Sequence, residues 1–170
     1  LLQDFIYDFS QLGIPDDNVD SEFLVIPKKW NVKNISRFMI IMGLTSSVVD
    51  VLAFLLFLFV FKYNNLEMAP YFQTAWFVTC LITELSIIFN IRTAKIPFTE
   101  SNASPKLYIL TIFSMVLTIV TPVALSNIKS FNFVILPVSF YICLVALVLL
   151  YFLLVLLVKK LYIRKYGEWL

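Results

Sequence analysis

Two aspartates, Asp4 and Asp8, stand four residues apart in LLQDFIYDFSQL, among leucine, phenylalanine, isoleucine and tyrosine. A step of four places both carboxylates on one face of a helix, and Gln11 continues that face with Gln3 and Tyr7 beside it. Such a stripe offers several oxygen donors to a hard cation such as Mg2+, with the remaining positions filled by other helices or water. Two like charges on one face repel, and no Lys or Arg lies within the stretch to neutralise them. The pattern favours a cation site, or a proton-carrying one, over an inert pair. The plainer reading is an exposed helix end near a membrane interface, chiefly for Asp8.

Two more acids sit inside long apolar runs. Asp50 follows the small polar cluster Thr45, Ser46 and Ser47, and Glu84 lies beside Thr79, Thr83, Ser86 and Asn90. An aspartate at mid-membrane costs about 2.5–3.5 kcal/mol on insertion scales, so it is tolerated where it faces protein or water. Asp50 and Glu84 are therefore secondary transport-path candidates, weighed against packing and hydrogen bonding between helices. Gly43 and Ser47 have the small-xxx-small spacing that lets helices approach closely. The Thr/Ser/Asn edge of the second run and the Thr111, Ser114, Thr118, Thr121 edge of the third read more as interhelical glue than as a conduit.

The elements that must position these residues follow from composition. Of 170 residues, 61% are hydrophobic and only 14% charged. That is too little polar surface to cover a fold in water, so the natural solvent is lipid. The predicted class is an all-α membrane protein: the end of one transmembrane helix over residues 1–12, then four transmembrane helices. A loop over 13–37 leads to spans at 38–61, 71–91, 107–125 and 133–158, with a tail over 159–170. Only helices satisfy their backbone groups within such segments, and the alternating pattern of a barrel is absent. Residues 1–12 make a helix of roughly 18 Å, short of a hydrocarbon core of about 30 Å. The opening is read as the end of a helix continued upstream.

Basic residues give an orientation. Lys28, Lys29, Lys33 and Arg37, then Arg92, Lys95 and Lys106, then Lys159, Lys160, Arg164 and Lys165 all fall on one side of a four-span arrangement. Only Lys62 and Lys129 fall on the other. By the positive-inside tendency both ends of the four-span unit are cytoplasmic, in a multi-pass protein of the cell membrane. Pro70 suits a first helical turn, while Pro122 and Pro137 suggest kinks or helix ends. Tyr63, Tyr71, Trp76, Tyr162 and Trp169 lie near the expected interfaces. Arg92 and Lys95 are expected to hold their loop at the headgroups.

Other chemistries are excluded or unsupported. The chain has no histidine, which removes imidazole catalysis and imidazole metal ligation. Cys80 and Cys143 read as buried free thiols without metal or disulfide spacing. A net charge of +2 without a basic stripe gives no case for nucleic acid. Neither a GxxxxGK[ST] phosphate loop nor a DKTGT phosphorylation motif occurs, so no catalytic residue is assigned within the chain.

Three stretches carry a family resemblance. YDFSQLGIPDDNVDSEFLVIPKKWNVKNISRFMIIMGLTSSVVD resembles the region that begins in the sixth membrane helix of magnesium-transporting P-type ATPases. AWFVTCLITELSIIFNIRTAKIPF is similar to that family's eighth helix and following loop, and YIRKYGEWL to its C-terminus. The likeness keeps its order over nearly the whole chain. It implies that residues 1–12 end the sixth helix and the four spans are helices seven to ten. The cation ligands of the sixth helix, four residues apart, then fall on Asp4 and Asp8. The family usually has Asn at the first place, and Asp4 departs from it. The resemblance also implies Mg2+ as the transported ion, moved toward the cytoplasm by ATP hydrolysis through an aspartyl-phosphate. Mg2+ accompanies ATP as well, in cytoplasmic domains that lie upstream with the remaining helices. Its partners are then the lipid bilayer, Mg2+ and those upstream parts of the same chain. The rival reading is a self-contained four-helix membrane channel or transporter subunit.

Overall fold

The structure, a computed structural model of the chain, describes residues 1–20, 32–128, 130–167 and 169. Lys28, Lys29 and Lys129 of the charge pattern lie outside them. Among the described residues five α-helices run in order: α1 (Leu2–Gln11), α2 (Val32–Leu55), α3 (Ala69–Ile91), α4 (Pro105–Leu125) and α5 (Val138–Tyr166). No strand occurs among the described residues. The last four helices, α2 with a π-helical turn at Leu56–Val60, are long and apolar enough to cross a membrane.

Local signals set the helix ends. Ser104 caps α4 by accepting from the Leu107 amide at 3.2 Å, with Pro105 in the first turn. Pro70 likewise sits in the first turn of α3. Pro122 lies inside the last turn of α4 rather than ending it. The fourth span differs from its expected 133–158. Pro137 is the N-cap of α5, and the residue before a proline is biased away from helix, so α5 begins at Val138. It then continues through the basic tail to Tyr166, where Gly167 closes it at φ 76°, a left-handed conformation suited to glycine. Among the described residues, the helix of the first span starts at Val32, ahead of the expected 38.

The helix order in space is α1, α4, α3, α5, α2, each packed on the next, with α1 also touching α3. Central α3 is the most enclosed span, and α2 and α5 keep broad apolar faces outward, for example Met39, Leu44, Val48, Val145, Leu149 and Leu153. Those faces suit lipid, as the leucine-rich fourth span suggests. The core between α2, α3 and α5 is aromatic and branched. Phe57, Val49, Ala75, Val78, Phe140 and Val155 are each at most 2% exposed, and Phe57 meets Phe72 edge-on at 5.6 Å.

Three expectations are corrected. Tyr162, Trp169 and Tyr63 are turned into the protein rather than to headgroups. The Trp169 indole donates to the Ile91 carbonyl at 3.0 Å, and the Tyr162 hydroxyl hydrogen-bonds the Asn34 side chain at 2.5 Å. The Gly43–Ser47 face packs against no other described helix, since a Cβ on Gly43 would meet nothing within 4 Å. Both Ser46 and Ser47 hydroxyls instead donate to the Gly43 carbonyl. Finally, Arg92 is not held at a headgroup layer; its side chain is 8% exposed and ion-paired with Asp17.

Candidate cation site on α1 and an acid-lined cavity

The face of α1 that packs on α3 and α4 is carried by Ile6 and Ser10, both buried. Ser10 donates to the Tyr7 carbonyl at 2.7 Å, which removes its polarity from the contact. Phe9 meets Phe113 of α4 at 5.6 Å. At the end of α1, Gly13 presses on the start of α4: a Cβ there would come within 2.8 Å of the Leu107 Cα. Here glycine is required by close approach, and its φ of −82° is ordinary.

That packing leaves Asp4 and Asp8 on the opposite, exposed face of α1 together with Phe5 and Leu12. The Asp4 side chain is 76% exposed. Gln11 is half-buried, and its amide donates to the Ser10 hydroxyl at 3.0 Å, which turns it from the carboxylate stripe. Gln3 is half-buried beside the stripe.

Asp50 and Glu84, on different helices, line one cavity. It has a volume of about 180 Å³, and Ser46, Cys80, Thr83 and Tyr151 also border it. Tyr151 brings α5 to the cavity beside Ser46 of α2. Sequence reading singled out both acids but had no signal that they share a space. Tyr151 sits within LVALVLLYFLLVLLV and offered no periodic clue.

Among the described residues, no group of three or more His, Cys, Asp or Glu side chains is close enough to hold a metal ion. Mg2+ demands near-octahedral oxygen ligation at about 2.0–2.1 Å and keeps several waters. The oxygens of Asp4 and Asp8 are of the right kind, and their exposed face leaves the other ligand positions open. Among the described residues, four buried side-chain polar atoms have no hydrogen-bond partner: Thr79 Oγ1, Asn90 Oδ1, Thr111 Oγ1 and Ser114 Oγ. They lie on the polar edges of α3 and α4, away from the aspartate stripe.

A further polar cluster escaped sequence reading. Asp17 and Asp20, in the acidic run after α1, are not free in solvent. Asp17 pairs with Arg92 and accepts from the Ser104 amide at 2.7 Å. Asp20 accepts from Thr93 at 2.6 Å and Ser101 at 2.7 Å. Burial alone raises the Asp20 carboxyl, but the Thr93 and Ser101 hydrogen bonds, an Ala94 backbone hydrogen bond and the Lys95 charge outweigh it and hold the group below its ordinary range.

Residues 1–161 match the family model described as cation transporting ATPase, C-terminus. The chain is 38% identical over 99% of its length to the magnesium-transporting ATPase, P-type 1, of Salmonella typhimurium strain LT2. It is 41% identical over 98% of its length to the protein of the same name from Escherichia coli K12. It spans only 18% of the length of either relative. The helical architecture and the match over nearly the whole chain agree: the chain belongs to the family of cation-transporting ATPase C-termini.

Proposed function

We propose that this chain is the C-terminal membrane part of an ATP-driven P-type Mg2+ transporter, importing Mg2+ through an aspartyl-phosphate formed in upstream domains. The Salmonella and Escherichia relatives are named for magnesium transport, and each is more than five times longer than the matched portion. That supports a segment of a larger pump over a self-contained four-helix channel. Asp4 and Asp8 supply carboxylate oxygens to the ion from α1, and the remaining ligands come from upstream helices that cover their face. Asp50 and Glu84 form a secondary polar path, and α2–α5 act as a supporting scaffold in the lipid. In the same reading Mg2+ also accompanies ATP upstream, and both ends of the four-helix unit face the cytoplasm at the cell membrane.

One observation carries the reading: two carboxylates one turn apart stand on the free face of a helix whose other face is fully engaged with α3 and α4. A charged pair so placed is stable in a membrane when a cation and other helices meet it there. The test is Mg2+ uptake by the intact protein carrying Asp8→Asn. Uptake falls to background at normal expression if the proposal holds; unchanged uptake contradicts it.

A further inference from the structure

We infer that the loop after α1 and the loop between α3 and α4 form a permanent clamp. It fixes the C-terminal end of α1 to α3 and α4 and leaves the aspartate-bearing side of α1 outside the contact. The inference rests on the transport reading for its functional meaning, and on geometry for its existence.

Arg92 is the centre of the clamp. Its guanidinium spends its donors on four groups: the Asp17 carboxylate, the Asn18 carbonyl at 2.7 Å, the Asn102 carbonyl at 3.2 Å and the Ser101 hydroxyl at 3.3 Å. Two acceptors belong to the loop after α1 and two to the α3–α4 loop. A planar fork of this kind is preorganised, so less freedom is lost for each bond made. With the guanidinium side chain 8% and the Asp17 side chain 11% exposed, separating the loops would strand both charges in a poorly solvated place.

Thr93 adds a second layer. It is fully buried; its hydroxyl donates to Asp20 and accepts from the Lys95 amide at 3.0 Å. Its carbonyl accepts from Lys159 of α5 at 3.0 Å. The same ammonium reaches the Lys95 carbonyl at 3.0 Å and lies 5.5 Å from the centre of the Trp169 ring. Thr93 thus joins the loop after α1 to the end of α5 through one residue.

Gly13 completes the constraint. A Cβ there would stand 2.8 Å from the Leu107 Cα, so the backbones of α1 and α4 approach closely at that end. A close-packed, hydrogen-bonded corner of this kind has two states, intact or broken, with no soft intermediate.

The test uses the intact protein with Asn18→Cys and Asn102→Cys, whose native side chain and carbonyl lie 3.3 Å apart. Cross-linking by a thiol oxidant or a short bis-maleimide is timed in the resting protein, with an ATP analogue, and with a phosphate analogue. Rates within about twofold across the three states, and Mg2+ uptake at half or more of the reduced control after cross-linking, are expected. A state in which the rate falls tenfold, a pair that never cross-links, or uptake that is lost and then restored by reductant would overturn the clamp. If the unaltered protein itself fails to take up Mg2+, the transport reading fails instead, and the cross-linking rates alone judge the clamp. Arg92→Gln is expected to raise the Mg2+ concentration for half-maximal uptake at least fivefold at normal expression, Arg92→Lys less; unchanged values in both would overturn the positioning role.

Discussion

Gly13 and Leu107 are in such close contact that a Cβ on the glycine would stand 2.8 Å from the leucine Cα. Backbone cannot yield as a flexible side chain does, so Gly13→Ala must push α1 away from α4. Overpacking of this kind costs about 1–3 kcal/mol. The expected result is a lower melting temperature of the intact protein in detergent and a weaker apparent Mg2+ affinity. Wild-type values in both would show that α1 is not held there.

Lys159 tests how the end of α5 is fixed. Its ammonium is 2% exposed and serves the carbonyls of Thr93 and Lys95, which follow the C-terminus of α3. Cations are favoured at that end of a helix dipole. Lys159→Met keeps the stem and removes the donors, stranding two carbonyls at about 1–3 kcal/mol. Thermal unfolding is expected to show that loss, with Lys160→Met unaffected, because Lys160 is exposed.

These two sites show where sequence was informative. The four spans, their approximate ends and the α1 stripe were legible because period, length and charge are local properties. The role of Lys159 was not. It reads as one of four basic tail residues, and only the continuation of α5 past the apolar run carries it inward to Thr93. Arg92 was expected at the headgroups for the same reason, yet it pairs with Asp17 of the run after α1. Their pairing joins positions 75 residues apart, which no spacing rule encodes. The convergence of Asp50 and Glu84 on one cavity likewise depends on how α2 and α3 face each other.

The pH response of the clamp follows from Asp20. Its carboxyl titrates below its ordinary value of 3.8 because hydrogen bonds and the Lys95 charge more than offset burial. A depressed folded-state value means stabilisation that is complete above 3.8 and lost as pH falls through the folded value. The difference in melting temperature between wild type and Asp20→Asn is expected to stay constant from neutral pH to about pH 5 and to shrink at lower pH. A difference that grows on acidification would contradict the assignment.

The cavity offers a separate check. Asp50→Asn and Glu84→Gln keep shape and remove charge from its two sides. If the acids serve the ion path, each is expected to weaken apparent Mg2+ affinity about three- to tenfold while folding, followed by size-exclusion profile and melting temperature, stays intact. Loss of folding with unchanged ion affinity in the remaining folded protein would assign both residues to the scaffold.

The most direct measurement is a structure of the intact protein with Mn2+ in place of Mg2+, located by its anomalous signal. The ion is expected within about 2.0–2.3 Å of an Asp8 carboxylate oxygen, with upstream helices closing over the same face of α1. An ion held elsewhere, with the Asp4 and Asp8 carboxylates turned to lipid or bulk water, would contradict the account.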